Sequence, residues 1–314
     1  MALPLSPPVS PQLARSRSEL PDGDGWAYEP KYDGFRAIAF VDGDEVALQS
    51  RTGRPLRRYF PELRFPDGAY VLDGEIIIGD PEGTQDFDAL QMRLHPAESR
   101  VRKLAEEMPS TYVAFDLLAR DGDKLLDLTF AQRRAALEEL VADPVVLAPH
   151  TRSRQDAEPW LRSAEGVIAK QLGEPYCPGE RRGMVKVKRL RTIDAVVVGW
   201  RPGKEAKTVG SLILGLYDKK GELHVVGHTS GLSAKRKREL VGELAPYETG
   251  QRGSGDPSRW TVGRDLEWVE LRPELVVEVS FDHVSGGRIR HGSKLLRWRD
   301  DKRPRDCRLE QLEG

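Results

Sequence analysis

The residues best suited to chemistry come in short clusters of mixed charge set against apolar runs. In EPKYDGFRAIAF, residues 29–40, Lys31 and Asp33 stand two positions apart just ahead of a hydrophobic stretch. On one strand they would share a face, and alone the pair reads equally as a surface ion pair at a strand end. In YVLDGEIII, Asp73 and Glu75 lie on one face of a strand otherwise built for burial. Carboxylates there are costly unless paired, hydrogen-bonded or close to a metal; a charge cluster at an exposed strand end is the other reading. TYVAFDLLA sets Phe115 beside Asp116 at a strand end, as a core ring or a stacking platform. EGVIAK places Glu165 and Lys170 at the two ends of an apolar tetrad, and MVKVK aims Lys186 and Lys188 from one strand face. Two like charges so placed repel unless their partner is polyanionic, and phosphate is the natural guest. Clustered lysines, two acidic strands and an aromatic ring are the parts for holding a nucleotide with a divalent metal. Neither G-x-x-x-x-G-K-[ST] nor G-x-G-x-x-G occurs, so side chains would hold the phosphates.

The elements that must position these groups fall into two textures. Residues 21–191 mix strands and helices. WAYEPKYDGFRAIAFVDGDEVALQS reads as two strands around a turn at Asp42, Gly43 and Asp44, because Asp-Gly between apolar runs is a strong hairpin signal. YVLDGEIIIG, TYVAFDLLA, EGVIAKQL and MVKVKRL add further strands. TFAQRRAALEELVA predicts a helix capped by Thr129 that turns Phe130, Leu137, Leu140 and Val141 to the core and stops at Asp143-Pro144. The expected fold class is α+β, built on antiparallel sheet rather than βαβ units. Residues 192–314 change character: IDAVVVGWR, GSLILGLYD, ELHVVGHTS, LEWVEL and ELVVEVSFD are short strands between turns, with one helix at SAKRKRELVGELA. Five strands and a helix predict a small closed barrel of the OB type. Residues 1–20, Pro-rich and interrupted by Arg15 and Arg17, read as an extended lead-in without the continuous apolar stretch of a secretory signal.

Bulk properties narrow the class. A length of 314 residues suggests two domains. With 32% charged residues, 39% hydrophobic ones and a mean hydropathy of −0.53, the chain is expected to be a soluble globular protein. No apolar run approaches the roughly 20 residues that span a bilayer. Only Cys177 and Cys307 occur, without partners at metal spacing, which speaks against zinc and disulfide frameworks and fits a reducing cytoplasm. The net charge of −1 conceals local patches: six of the eleven residues 181–191 are basic, as are eight of the eighteen residues 288–305. Either could be a solvated face or a grip for nucleic acid.

The order K-x-D-G-x-R (31–36), S-R-T-G (50–53), L-D-G-E (72–75), A-F-D (114–116), E-G-V-I-A-K (165–170), V-K-V-K (185–188) and R-x-D-K (299–302) resembles the motif series of the covalent nucleotidyltransferases. Within them it is most similar to the bacterial ATP-dependent DNA ligases, the short kind that stands alone or forms the ligase module of end-joining enzymes. The resemblance runs from about residue 20 to the C-terminus, across both expected domains: a nucleotidyltransferase (adenylation) domain over 21–191 and an OB-fold domain over 192–314.

What the resemblance implies is a nucleophilic Lys31 that attacks the α-phosphorus of ATP, forms a lysyl-AMP phosphoramidate and releases pyrophosphate. An ordinary lysine at pH 7 is handicapped by roughly 4 kcal/mol for that attack, so charging is expected to need Mg²⁺ or Mn²⁺. Position by position, Glu29 would read the adenine edge through its backbone and Phe115 would stack on the base. Arg36 and Glu75 would contact the ribose, and Arg51 a phosphate or the nicked strand. Glu165, with Asp33 and Glu75, would hold metal, while Lys186 and Lys188 would neutralise the α-phosphate. Arg299, Asp301 and Lys302 would close over ATP, orient the pyrophosphate and swing away. AMP then passes to a 5′-phosphate and a 3′-OH seals the nick. The implied partners are ATP and nicked duplex DNA, with no membrane; a nucleoid-associated cytoplasmic monomer, recruited by repair proteins, is expected. The two domains leave no room within these 314 residues for a further DNA-binding, nuclease or polymerase domain, so the basic stretches and the barrel would grip DNA. Met184 stands where the family often has Trp, a change of packing. An RNA ligase or GTP-using capping enzyme shares the lysine motif and the barrel, and a non-catalytic OB-fold nucleic-acid binder is a reading of another class.

Overall fold

In a computed structural model, residues 3–188, 191–253, 267–282, 284–290 and 292–312 are described. The chain divides into two compact units, Met1–Arg189 and Leu190–Gly314. The first unit carries strands β1 (Arg15–Arg17), β2 (Trp26–Pro30), β3 (Phe35–Asp42), β4 (Glu45–Ser50), β5 (Ala69–Ile78), β6 (Ser110–Arg120), β7 (Asp123–Lys124), β8 (Val146–Leu147), β9 (Gly166–Gln171) and β10 (Met184–Lys188). Its helices are α1 (Phe87–Met92), α2 (Glu98–Glu107), α3 (Phe130–Leu140), α4 (Arg154–Ala157) and α5 (Trp160–Ser163).

These strands form two sheets. One runs β4-β3-β5-β6-β7, antiparallel throughout, with β8 parallel to β6; the other runs β1-β10-β9-β2. The chain therefore changes sheets between β2 and β3, and residues 31–34 belong to neither. The single strand expected through Lys31 and Asp33 is thus broken, because β2 pairs with β9 while β3 pairs with β4 and β5. Gly34 permits the crossing: a Cβ there would overlap the Ile76 carbonyl oxygen and the Glu75 and Ile77 side chains. Helix α3 begins as the sequence predicts, with Thr129 and Gln132 forming a capping box. Its inner face differs, since Arg133 and Arg134 are buried beside Phe130 and Leu137. Residues 3–17 do not trail as a lead-in either. Leu3, Leu5 and Val9 pack against a core of Ile38, Phe40, Val71, Leu118, Ala119 and Tyr176, and β1 extends the second sheet.

The second unit carries β11 (Arg191–Pro202), β12 (Val209–Tyr217), β13 (Leu223–Ser230), α6 (Ala234–Leu244), β14 (Glu248–Gly253), β15 (Trp268–Leu271), β16 (Val276–Phe281), β17 (Val284–Ser285), β18 (Arg288–Ile289) and β19 (Ser293–Trp298). Strands follow the order β12-β13-β19-β16-β11, and the β11–β12 pairing closes that path into a five-stranded ring with β13 and β19 parallel. That is an OB-type barrel, with α6 capped by Ser233 and its Leu240 and Leu244 buried in the barrel core. The membership differs from the sequence reading in one strand. Of LEWVEL, the last four residues are β15, which pairs with β11 and β14 beside the ring, while Leu266 lies outside the described residues; the ring is completed by SKLLRW in β19. That strand looks like part of a basic patch because Lys294 and Arg297 face outward, concealing its strand character. No helix among the described residues is long and apolar enough to cross a membrane.

Candidate active site

Lys31 hangs from the end of the second sheet. Its N–H donates to the Gly166 carbonyl oxygen at 2.9 Å, continuing the β2–β9 ladder by one residue. Its ammonium donates to Glu165 and, at 3.2 Å, to the Tyr32 carbonyl oxygen. Gly166 has φ +148, and a Cβ there would overlap the Val187 carbonyl oxygen, so only glycine lets β9 lie this close to β10. That close pairing sets Lys188 opposite Gly166 and brings its ammonium 3.1 Å from Glu165. Lys186, opposite Ile168, projects from the same face of β10. Burial and the neighbouring cations Lys188 and Lys31 lower the Lys186 pKa. The structure thus brings Lys31, Glu165, Lys186 and Lys188 together at one sheet end.

The first sheet presents Arg36, Asp73, Glu75 and Phe115. In the β3–β5 register Arg36 lies opposite Glu75 and Ile38 opposite Asp73. Asp73, fully buried, takes Arg36 in a two-pronged ion pair, from Nε at 3.0 Å and Nη2 at 2.5 Å. Burial disfavours the guanidinium charge, but Asp73 outweighs it and raises the Arg36 pKa. Glu75 has no such clamp, and burial pushes its carboxyl up to about 7 against the pull of Lys31 and Arg36. Phe115 is not at a strand end. It is the extra residue of a bulge in β6, between the pairs Asp73–Asp116 and Gly74–Ala114, and a bulge re-aims the side chain it carries.

Residues to which the sequence reading assigned no role support Phe115 and Glu29. Lys170 donates to the Phe115 carbonyl oxygen at 2.9 Å, pairs with Glu29 at 2.8 Å, and lies 4.7 Å and 4.6 Å from the Phe115 and Phe130 ring centroids. Arg134 stands 3.5 Å from Glu29 and donates to the Ala148 carbonyl oxygen. Burial raises the Glu29 pKa even so. Arg133 clamps Asp116 at 2.8 Å and 3.0 Å. Lys170 had one signal in the sequence, its place at the end of the apolar tetrad. The two arginines had none, because their helix reads as apolar on its inner face.

A cavity of about 300 Å³ lies beside the neighbours of Lys31, lined among others by Pro30, Tyr32, Glu82, Gln85, Trp160 and Ala164. Tyr32 is 5% exposed, and its hydroxyl makes no hydrogen bond among the described residues. Asp33 gives its N–H to Gln85 Oε1 at 3.5 Å. Arg51 is exposed in the turn after β4, where Arg54 donates to Ser50 Oγ. Among the described residues, the one group of three metal-type residues with donor atoms within 4.8 Å of one another is Asp218, Glu222 and His224 in the second unit. Asp33, Glu75 and Glu165 are therefore not drawn into a three-carboxylate cage. Their oxygens are nonetheless the hard donors Mg²⁺ takes, and a half-buried Glu75 whose carboxyl is pushed up by burial fits a nearby divalent cation.

In the second unit Arg299 binds Asp301 at 2.8 Å and 2.9 Å and Asp194 at 2.8 Å. Lys302 reaches Asp194 at 3.5 Å. The Arg299 hydrogen bond holds the Asp301 carboxyl down at about 2. Gln311 fixes Asp194 through both backbone groups, accepting from its N–H at 3.0 Å and donating to its carbonyl at 3.1 Å.

A two-sheet unit that sets a lysine among carboxylates and cations, followed in sequence by a five-stranded barrel, is the architecture of a nucleotidyltransferase joined to an OB-fold. Comparison with known proteins agrees. Residues 11–188 match the family described as ATP dependent DNA ligase domain, and residues 205–302 the ATP dependent DNA ligase C terminal region. DNA ligase C1 of Mycolicibacterium smegmatis is 44% identical over 336 residues, covering 100% of this chain and 96% of the relative. The ligase domain of M. tuberculosis LigD has a solved structure that is 30% identical, covers 95% of this chain and 97% of that one, and superposes with a TM-score of 0.52. A structure of mycobacterial DNA ligase D complexed with ATP and MES gives 29%, 95%, 97% and 0.51. The chain belongs to the ATP-dependent DNA ligase family, and it is an ATP-dependent DNA ligase.

Proposed function

We propose that Lys31 is the residue that carries AMP, and that the enzyme seals 5′-phosphate/3′-OH nicks in duplex DNA during repair. The observation that carries this reading is the convergence of Lys31, Glu165 and Lys188 at the end of the second sheet. Lys31 attacks the α-phosphorus of ATP, the α–β phosphoanhydride bond breaks, and pyrophosphate leaves. For Lys31 to reach phosphorus its contact with Glu165 must open. Lys186 and Lys188 face the α-phosphate; burial and the neighbouring Lys188 and Lys31 lower the Lys186 pKa, and a phosphate there would relieve that repulsion. Arg36 and Glu75 hold the ribose, Phe115 stacks on the base, and Glu29, clamped by Lys170 and Arg134, fixes the strand whose backbone reads the adenine edge. Arg51 is assigned to the nicked strand, and Arg299 and Lys302 to the leaving pyrophosphate. Glu75 and Glu165, with Asp33, would hold Mg²⁺, which supplies charge neutralisation for the phosphates. The adenylate then passes to the DNA 5′-phosphate, and attack by the 3′-OH expels AMP. A monomer acting on DNA in the cytoplasm completes the reading.

Intact-mass measurement after incubation with ATP and Mg²⁺ is expected to show the gain of one AMP, absent in Lys31→Ala and absent with GTP. Sealing of a nicked duplex that survives Lys31→Ala would overturn the assignment. A parallel nick with RNA on the 3′-OH side separates DNA sealing from RNA sealing.

A further inference from the structure

The N-terminal segment touches three motif-bearing elements at once. Val9 donates its N–H to Gln49 Oε1 at 2.8 Å and accepts from Gln49 Nε2 at 2.7 Å; Gln49 immediately precedes the 50–53 turn that carries Arg51. Gln12 is buried, its N–H donating to the Tyr176 hydroxyl at 3.0 Å and its Nε2 to the Arg182 carbonyl oxygen at 2.5 Å. Arg15–Arg17 then runs parallel to β10, with Ser16 opposite Lys186. The joint is Tyr176, which is 4% exposed. Its hydroxyl accepts from Gln12 and donates to Asp73 Oδ2 at 2.6 Å. The same Asp73 oxygen takes the Arg36 Nη2.

We propose that residues 8–17 are a strap that orients the ribose-facing arginine, and that Tyr176 is the positioning residue through which the strap acts. The proposal rests on the reading of Arg36 as a ribose contact. A guanidinium held by both oxygens of a buried carboxylate, itself held by a phenol, presents its remaining N–H groups in one direction. Without the phenol hydroxyl the carboxylate can rotate, and the guanidinium turns with it. The loss falls on nucleotide recognition rather than on attack by Lys31, which hangs from the other sheet.

The test is lysyl-AMP formation by the full chain at graded ATP and at graded 2′,3′-dideoxy-ATP, with thermal unfolding recorded alongside. Tyr176→Phe removes the hydroxyl alone; Gln12→Pro removes the strap's N–H, and with it the side-chain bond to Arg182, while the Tyr176 hydroxyl is kept. Both variants are expected to lose most of the preference for ATP over the dideoxy nucleotide. The apparent KM for ATP should rise about tenfold, the worth of one hydrogen bond to a charged group, while the maximal charging rate stays near that of the unaltered chain. Arg36→Gln is the reference and should lose the same preference. If it does so while a folded Tyr176→Phe keeps the full preference, the strap is overturned and the ribose reading stands. Should Tyr176→Phe fail to fold, Gln12→Pro decides by the same criterion. Arg36→Gln retaining the preference overturns the ribose reading and the strap's role with it.

Discussion

Lys170 shows how much one side chain can organise. Its ammonium joins Glu29 on β2, the Phe115 carbonyl on β6 and the Phe130 ring at the start of α3, so it ties both sheets of the first unit to a helix. Lys170→Met keeps much of the volume and removes the charge, leaving Glu29 buried with Arg134 alone. Breaking a buried pair from one side costs about 3 kcal/mol or more, and the midpoint of denaturant unfolding is expected to fall accordingly. Phe115 would lose the bond that fixes its bulge, so the apparent KM for ATP in Lys31 charging should rise as well. A variant with unchanged stability and charging would show that Arg134 suffices for Glu29. Glu62 is a purely structural counterpart. It accepts from Arg93, which is fully buried, at 2.8 Å and from the Ser110 hydroxyl and N–H at 2.6 Å and 3.1 Å. Burial alone would raise its pKa; Arg93 and Ser110 outweigh burial and lower it. A carboxylate with a depressed folded pKa stabilises above its unfolded pKa and loses that contribution as pH falls through the folded value. Stability is therefore expected to drop on acidification below the ordinary glutamate range, and Glu62→Gln should flatten that limb of a plot of Tm against pH.

At the scale of elements, the site depends on glycines that let backbones approach. Gly34 lets the chain pass from one sheet to the other directly over β5. In Gly34→Ala the new methyl would meet the Ile76 carbonyl oxygen, and that part of the chain, with Lys31 in it, must shift. A displacement of about 1 Å at a reacting group costs on the order of a hundredfold in rate, so charging of Lys31 should slow by that order while Tm falls only modestly. Equal charging rates in the two proteins would mean that the crossing tolerates the methyl. The same elements show which features were legible beforehand. The sequence singled out K-x-D-G for its chemistry and read EGVIAKQL as a strand, but it gave no sign of the crossing. That geometry, a change of sheet rather than a strand face, depends on pairing partners more than 100 residues away. β19 was missed as a barrel strand for a related reason: its outward lysine and arginine dominate its composition, and only pairing with β13 and β16 reveals what its alternate residues do.

For the whole molecule, two kinds of interaction separate by their response to salt. On the proposed mechanism, charging of Lys31 would need ATP but no DNA, whereas sealing would require the basic surfaces to displace counterions from phosphates. Affinity for a nicked duplex is expected to fall steeply between about 50 and 200 mM salt, with lysyl-AMP formation much less affected; filter binding or anisotropy beside the mass measurement checks this. Equal salt dependence of both would argue against DNA grip through the basic stretches. The sequence by itself determined the class of fold, the change of texture near residue 190 and the identity of residues that can do chemistry, because these are written in local periodicity and in the types and order of side chains. The tertiary structure alone decided that Phe115 stands on a bulge, that Glu29 and Asp116 are paired with Lys170, Arg134 and Arg133, and that the N-terminal residues pack against Gln49, Tyr176 and β10. A buried charge is stable only beside a partner, and in a sheet that partner is chosen by register, which joins residues too distant in sequence for any local pattern to record.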